Sequence, residues 1–91
     1  MMSNKISNVR KFILKVISER TGINLNFINL STPLTSLGVE TLGFTEAVLI
    51  IENELNTHIN DDDILSSTTV FDFLALCLKS INPEAQHVKS I

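Results

Sequence analysis

Three observations predict an all-α fold of four helices. Apolar residues recur at threes and fours in three separate stretches, helix start and stop signals bracket those stretches, and no segment alternates apolar and polar residues as a half-buried strand does. The third helix is expected to be short, and the first two to be separated by a long loop.

The first helix follows from Ile6, Val9, Ile13, Val16 and Ile17, with Phe12 widening the stripe and Asn8, Lys11, Lys15 and Glu19 opposite. Thr21-Gly22 should stop it, because glycine takes the left-handed conformation that closes a helix C-terminus. Residues 23–38 scatter Asn24, Asn26, Asn29, Ser31, Thr32 and Pro33 among single apolar residues. They read as an ordered loop, pegged to the core by Leu25, Ile28, Leu30, Leu34 and Leu37. A loop this long in a small domain tends to have a functional reason.

Leu42, Ala47, Val48, Ile51 and Leu55 define the second helix, with Glu46, Glu52, Asn53 and Glu54 on its polar side. Gly43 weakens its first turn by up to about 1 kcal/mol relative to alanine. Residues 56–67 are polar, anchored by Ile59, Ile64 and Leu65, and Asp61, Asp62 and Asp63 are expected to cap a single helical turn. Thr69-x-x-Asp72 has the spacing of a capping box, with aspartate where glutamate or glutamine is usual. Val70, Phe73, Leu74, Cys77, Leu78 and Ile81 then share the face of the last helix. Asn82-Pro83 should end it, leaving a domain at 1–81 and a mobile tail at 82–91.

Composition bounds the function. The chain has 91 residues, 44% hydrophobic and 19% charged, which suits one globular core. Its single cysteine, Cys77, can form neither an internal disulfide nor a multi-cysteine zinc cluster, and it reads as a small core hydrophobe in a reducing, cytoplasmic setting. The longest apolar run, 73–78, is far too short to span a membrane, and no apolar signal core follows Met1. A monomer is expected.

Charge is segregated. Residues 1–20 carry +4 and residues 79–91 carry +1, whereas residues 21–78 hold eight carboxylates and no lysine or arginine, for a net charge of -3. Such a field repels nucleic acid and favours basic partners. Catalytic constellations are scarce: His58 and His87 lie far apart, and nucleophile-elbow, zincin and phosphate-loop patterns are missing, so no enzyme is expected. The Asp61-Asp62-Asp63 run lacks the alternating ligands, central glycine and distal glutamate of an EF-hand, so no metal site is expected there.

One arrangement is more specific. Pro33-Leu34-Thr35-Ser36-Leu37-Gly38-Val39-Glu40-Thr41-Leu42, followed by Glu46, Val48, Ile51, Glu52 and Glu54, resembles the acyl carrier and peptidyl carrier protein family. In that family a PLxxLGxDSL motif ends a long loop and opens an acidic second helix. Gly22, the segment Ile59-Asn60-Asp61 and the run Thr68-Thr69-Val70 fall at similar spacings, so the resemblance extends over about 6–81.

The resemblance implies a four-helix bundle of acyl-carrier-protein type, bearing a 4'-phosphopantetheine arm whose thiol holds an acyl or aminoacyl group. The attachment serine of the family corresponds here to Thr41, the preceding aspartate to Glu40, and the polar residue two positions beyond to Gly43. All three differences fall where the modifying phosphopantetheinyl transferase docks. Thr41 keeps a hydroxyl, but its methyl crowds the oxygen and restricts its rotamers; as a helix cap it is equally well suited. The resemblance further implies partner enzymes with basic patches, acyl-transferring or synthase enzymes among them, docking on Glu40, Leu42, Glu46, Leu49 and Glu52. The mild net charge and basic first helix suggest a specialised lipid, polyketide or related pathway.

Three readings stay open: a loaded carrier, a carrier fold that binds partners without an arm, and an unrelated helical adaptor. A carrier should have an apolar cavity between its helices, whereas an adaptor should have a filled core beneath an exposed apolar patch.

Overall fold

The N-terminal amphipathic stretch forms helix α1 (Met2–Thr21) in the structure, a computed structural model that describes residues 2–81, with side chains from Asn8 onward. The expected tail at 82–91, with Asn82-Pro83 and His87, and the Ile6 side chain lie outside the described residues. Helices α2 (Leu42–Leu55), α3 (Asp61–Ser66) and α4 (Val70–Ser80) follow. No strand occurs among the described residues, so the all-α expectation holds.

Helices α1, α2 and α4 bury most of the face their spacing predicts. Ile13, Val16 and Ile17 of α1, Ala47, Val48 and Ile51 of α2, and Val70, Phe73, Leu74 and Cys77 of α4 meet in one core that contains no buried polar side chain. Phe44 of α2 joins them, its ring centroid 5.5 Å from that of Phe73 at a tilt of 59°, a favourable aromatic geometry linking α2 to α4. Leu42, expected on this face, is 72% exposed. It precedes Phe44 at the helix start, and the 100° step per residue carries Phe44 inward and Leu42 outward.

The helix ends follow local rules. Gly22 closes α1 at φ +79. Asn56 closes α2 at φ 53, ψ 51, and the Thr57 N–H donates back to the Glu52 carbonyl at 3.0 Å, satisfying a terminal acceptor. Asn60, rather than the expected aspartates, caps α3: its Oδ1 accepts from the Asp62 N–H at 2.8 Å. The cap must sit before the first helical turn, and Asp61, Asp62 and Asp63 already occupy that turn, where the helix dipole favours their charge.

The loop between α1 and α2 contains two 3-10 turns, Leu25–Phe27 and Leu34–Leu37. Ile28, Leu34 and Leu37 are buried as expected, but Leu25 is 46% and Leu30 40% exposed. Backbone bonds to the start of α4 do the holding in their place. The Val70 N–H donates to the Thr32 carbonyl, Phe71 N–H to the Leu30 carbonyl, and Leu34 N–H to the Thr68 carbonyl, each at 2.9 Å. An isolated antiparallel bridge pairs Pro33 with Thr69 at the same place. Leu65, expected as an anchor, is 62% exposed because α3 is a single short helix with one inward position, taken by Ile64.

The capping box forms in full. Thr69 Oγ1 accepts from the Asp72 N–H at 3.3 Å, and Asp72 Oδ2 accepts from the Thr69 and Thr68 N–H groups at 3.1 and 3.0 Å. The backbone donors, Thr68 first and then Thr69, hold the Asp72 carboxyl below the usual carboxylate range. A depressed native pKa stabilises the fold above the ordinary carboxylate pKa, and that stabilisation is lost as pH falls through the native value. Asp72→Asn should therefore be less stable than the native chain at neutral pH, with the gap closing below about pH 4. Urea denaturation at both pH values measures it.

Candidate functional site

Gly38 turns the chain into α2. It adopts the left-handed conformation at φ 71, ψ 52, which glycine takes without strain and a side chain rarely adopts. Its carbonyl then receives two donors from Thr41, the N–H at 2.9 Å and Oγ1 at 2.6 Å. The same Oγ1 accepts from the Phe44 N–H at 3.4 Å, making Thr41 the N-cap of α2. A Cβ at Gly38 would stand 3.1 Å from both Thr41 Cγ2 and Oγ1, so a side chain there would also crowd Thr41.

Thr41 is exposed, as are Glu40 before it and Thr45 one turn later, whose hydroxyl donates to the Thr41 carbonyl at 3.0 Å. Neither hydrogen-bond partner of the Thr41 hydroxyl is a base: one is a carbonyl and the other an amide N–H. A proton leaving this oxygen needs an acceptor brought by another molecule. The positive end of the 14-residue α2 lies at the same point and favours negative charge there.

Gly43 has a different reason. A Cβ there would collide with the Arg20 carbonyl oxygen at the end of α1. The first turn of α2 thus passes against the last turn of α1, and this packing occupies the place where a side chain two residues beyond Thr41 would stand.

Two adjoining clefts lie near this point, and Thr41 borders only the first. The first, about 350 Å³, is bounded by Thr35, Gly38, Glu40 and Thr41 together with Ile64 and Leu65. The second, about 420 Å³, lies between α2 and α3, and Val39, Ile64 and Leu65 are common to both. Phe44, Val48 and Leu49 form the apolar wall of the second cleft, and Glu52, His58 and Asp61 its polar end.

A family model described as phosphopantetheine attachment site matches residues 11–77. The chain belongs to that family. Carrier domains of this kind hold substrates for other proteins and are not themselves catalytic, and no described helix is long and apolar enough to cross a membrane. The carrier-type four-helix fold expected from the motif is the fold observed.

Among the residues expected on the docking face, Leu42, Glu46 and Leu49 fall at intervals of four and three on one side of α2, all exposed, with Leu42 at 72% and Leu49 at 59%. Glu40 adds its carboxylate just before the helix. Glu52 is different. Its side chain is 16% exposed, its Oε2 accepts from the Ile59 N–H at 2.7 Å, and His58 Nδ1 lies 3.2 Å from the same oxygen. The carboxylate expected to face a partner holds the loop between α2 and α3 instead. Spacing alone could not reveal this, because the acceptor for the Ile59 N–H comes from seven residues earlier.

The Glu52 charge also reaches the core. Burial, and then the nearby Glu52 carboxylate, push the Cys77 thiol up to about 12, so it stays a neutral packing group.

The close approach at Gly43 gives a test. Alanine has the better helix propensity by about 1 kcal/mol, whereas forcing a methyl into a packed contact costs about 1–3 kcal/mol. Gly43→Ala should come out less stable by urea denaturation; a gain in stability would show that α1 and α2 do not meet there.

Proposed function

We propose that this member of the phosphopantetheine family is an acyl-carrier-like protein that presents a tethered substrate to partner enzymes of a specialised lipid, polyketide or related pathway. One domain over residues 1–81 carries the function, with Thr41 as the attachment point. The observation that carries the reading is the position of Thr41: an exposed residue at the N-terminus of α2, bordering a cleft that shares Val39, Ile64 and Leu65 with the one between α2 and α3. An acyl group on a flexible arm has an apolar place to rest, and the helix end favours the arm's phosphate.

Docking belongs to Glu40, Leu42, Glu46 and Leu49, an apolar pair flanked by carboxylates that suits a basic patch with a central hydrophobic pocket. The modifying transferase supplies the base that the Thr41 surroundings do not contain. Glu52 supports this surface from behind, through the loop after α2.

A second reading has its own observation. The Thr41 hydroxyl is engaged as a cap by two hydrogen bonds, and its β-branch limits the rotamers by which it could turn outward. On that reading the fold keeps the docking surface and works as a partner-binding or regulatory module without an arm.

Intact mass after incubation with coenzyme A and a promiscuous phosphopantetheinyl transferase separates the two. A phosphopantetheine adduct on the native chain that Thr41→Ala abolishes is the expected result. Modification of Thr41→Ser alone favours the unmodified module, and modification of neither contradicts attachment at this position.

A further inference from the structure

Exposed apolar surface gathers where the loop after α1 meets the start of α4. Phe27 is 73% and Phe71 58% exposed, and Leu25 and Leu30 beside them are exposed as well. These four residues come from two segments that the backbone fastens together. The Phe71 N–H donates to the Leu30 carbonyl and the Val70 N–H to the Thr32 carbonyl, each at 2.9 Å, while the Thr32 hydroxyl donates to the Phe27 carbonyl at 3.4 Å. Leu25 and Phe27 share one 3-10 turn. None of the four lines either cleft near Thr41, and none belongs to the docking face of α2. Two phenylalanines left in water add nothing to the stability of the single chain, and an aromatic cluster of this kind marks a contact surface.

The polar groups around the patch are already satisfied. Asn24 Oδ1 accepts from the Asn26 N–H at 2.8 Å, and Asn29 Oδ1 accepts from the N–H and the hydroxyl of Ser31 at 3.0 and 2.8 Å. The loop therefore holds its shape without a partner, and little ordering cost opposes docking. The patch also lacks charge. Residues 21–39 and 64–71 contain no Asp, Glu, Lys, Arg or His. The carboxylate next to Phe71, that of Asp72, is bound to the Thr68 and Thr69 N–H groups.

This neutrality decides the partner. An anionic lipid surface or an acidic protein finds no lysine or arginine in these segments, and a basic protein finds no free carboxylate. Elsewhere two copies of the chain repel when like faces meet, because α1 presents Arg10, Lys11 and Lys15 and the α2 region presents Glu40, Glu46 and Glu54, all exposed. At the neutral patch two copies meet without opposing like charges, and a two-fold axis sets the same four side chains of each against those of the other. We propose that this chain forms a weak symmetric dimer through Leu25, Phe27, Leu30 and Phe71. The charged alternative, basic α1 of one copy on acidic α2 of another, leaves the apolar patch in water and builds rings or open chains rather than a two-fold pair.

Sedimentation equilibrium and backbone amide shifts of the full isotope-labelled chain, followed from about 10 µM to about 1 mM, read the association of a small, transient interface. A monomer–dimer equilibrium is expected, with shifts centred on residues 25–31 and 69–72. Raising salt from about 0.05 to about 0.5 M should leave it unchanged or strengthen it, because screening relieves the repulsion between two chains of net charge -3. Phe27→Ser and Phe71→Ser, both at exposed positions, should each weaken it at least about fivefold, whereas Leu49→Ser, on α2, should not change it. The native chain's shift map carries the test where a variant does not fold. A chain still monomeric at the highest concentration, larger assemblies without a dimer step, association that salt abolishes, shifts centred on α1 and α2, or a dimer indifferent to both phenylalanine substitutions would each overturn the proposal. Whether Thr41 is modified has no bearing on these readouts, so the dimer and the carrier reading stand or fall separately.

Discussion

The start of α4 leaves its first backbone N–H groups without partners inside the helix, and the way this chain satisfies them organises everything before it. The Thr69 N–H goes to the Asp72 carboxylate, Asp72 N–H to the Thr69 hydroxyl, and Val70 and Phe71 N–H groups to the carbonyls of Thr32 and Leu30. The last two bonds bring in a loop some forty residues earlier in the chain. With Leu34 N–H donating to Thr68, they fix the middle of the loop against a helix end, and Leu34 and Leu37 are then directed into the core. Side-chain burial alone would leave such a loop free to slide; paired backbone groups give it a register.

That register sets the position of Thr41. From Leu37 the chain has only the Gly38 turn and two residues before Thr41, so a fixed loop delivers Thr41 to a fixed point beside the cleft. Gly38 and Gly43 are needed for unlike reasons, one for a left-handed turn and the other for the passage of α2 against the Arg20 carbonyl. Together they make the region around Thr41 tight on the inside and open on the outside. The inner side is held by packing while Thr41 itself stays exposed, which is what the proposed attachment at Thr41 would require.

Local signals were legible and distant ones were not. The helix stop at Gly22, the capping box at Thr69 and Asp72, and the helical faces of α1 and α4 depend on residues within a turn or two of each other, and each formed as expected. The left-handed stop at Asn56 was not among the expected helix ends, although an asparagine just past the last apolar residue of α2 is a local signal of one. Leu25, Leu30 and Leu65 are apolar yet exposed, because the loop is held by its backbone and α3 is too short to turn both Ile64 and Leu65 inward. Glu52 misled because its polar position on α2 said nothing of the loop folding back to meet it. Thr41 was found through motif spacing, but the hydrogen bond tying its hydroxyl to Gly38 required the turn itself.

The claim that the α4 start holds the loop, and through it Thr41, is open to native-state hydrogen exchange. The amides of Leu34, Val70 and Phe71 should exchange as slowly as those in the middle of α2, and removing the capping box with Thr69→Ala should speed exchange at Leu34 and Thr41 as well as at the start of α4. Rapid exchange at Val70 and Phe71 in the native chain, or a Thr41 amide indifferent to the substitution, would contradict the account.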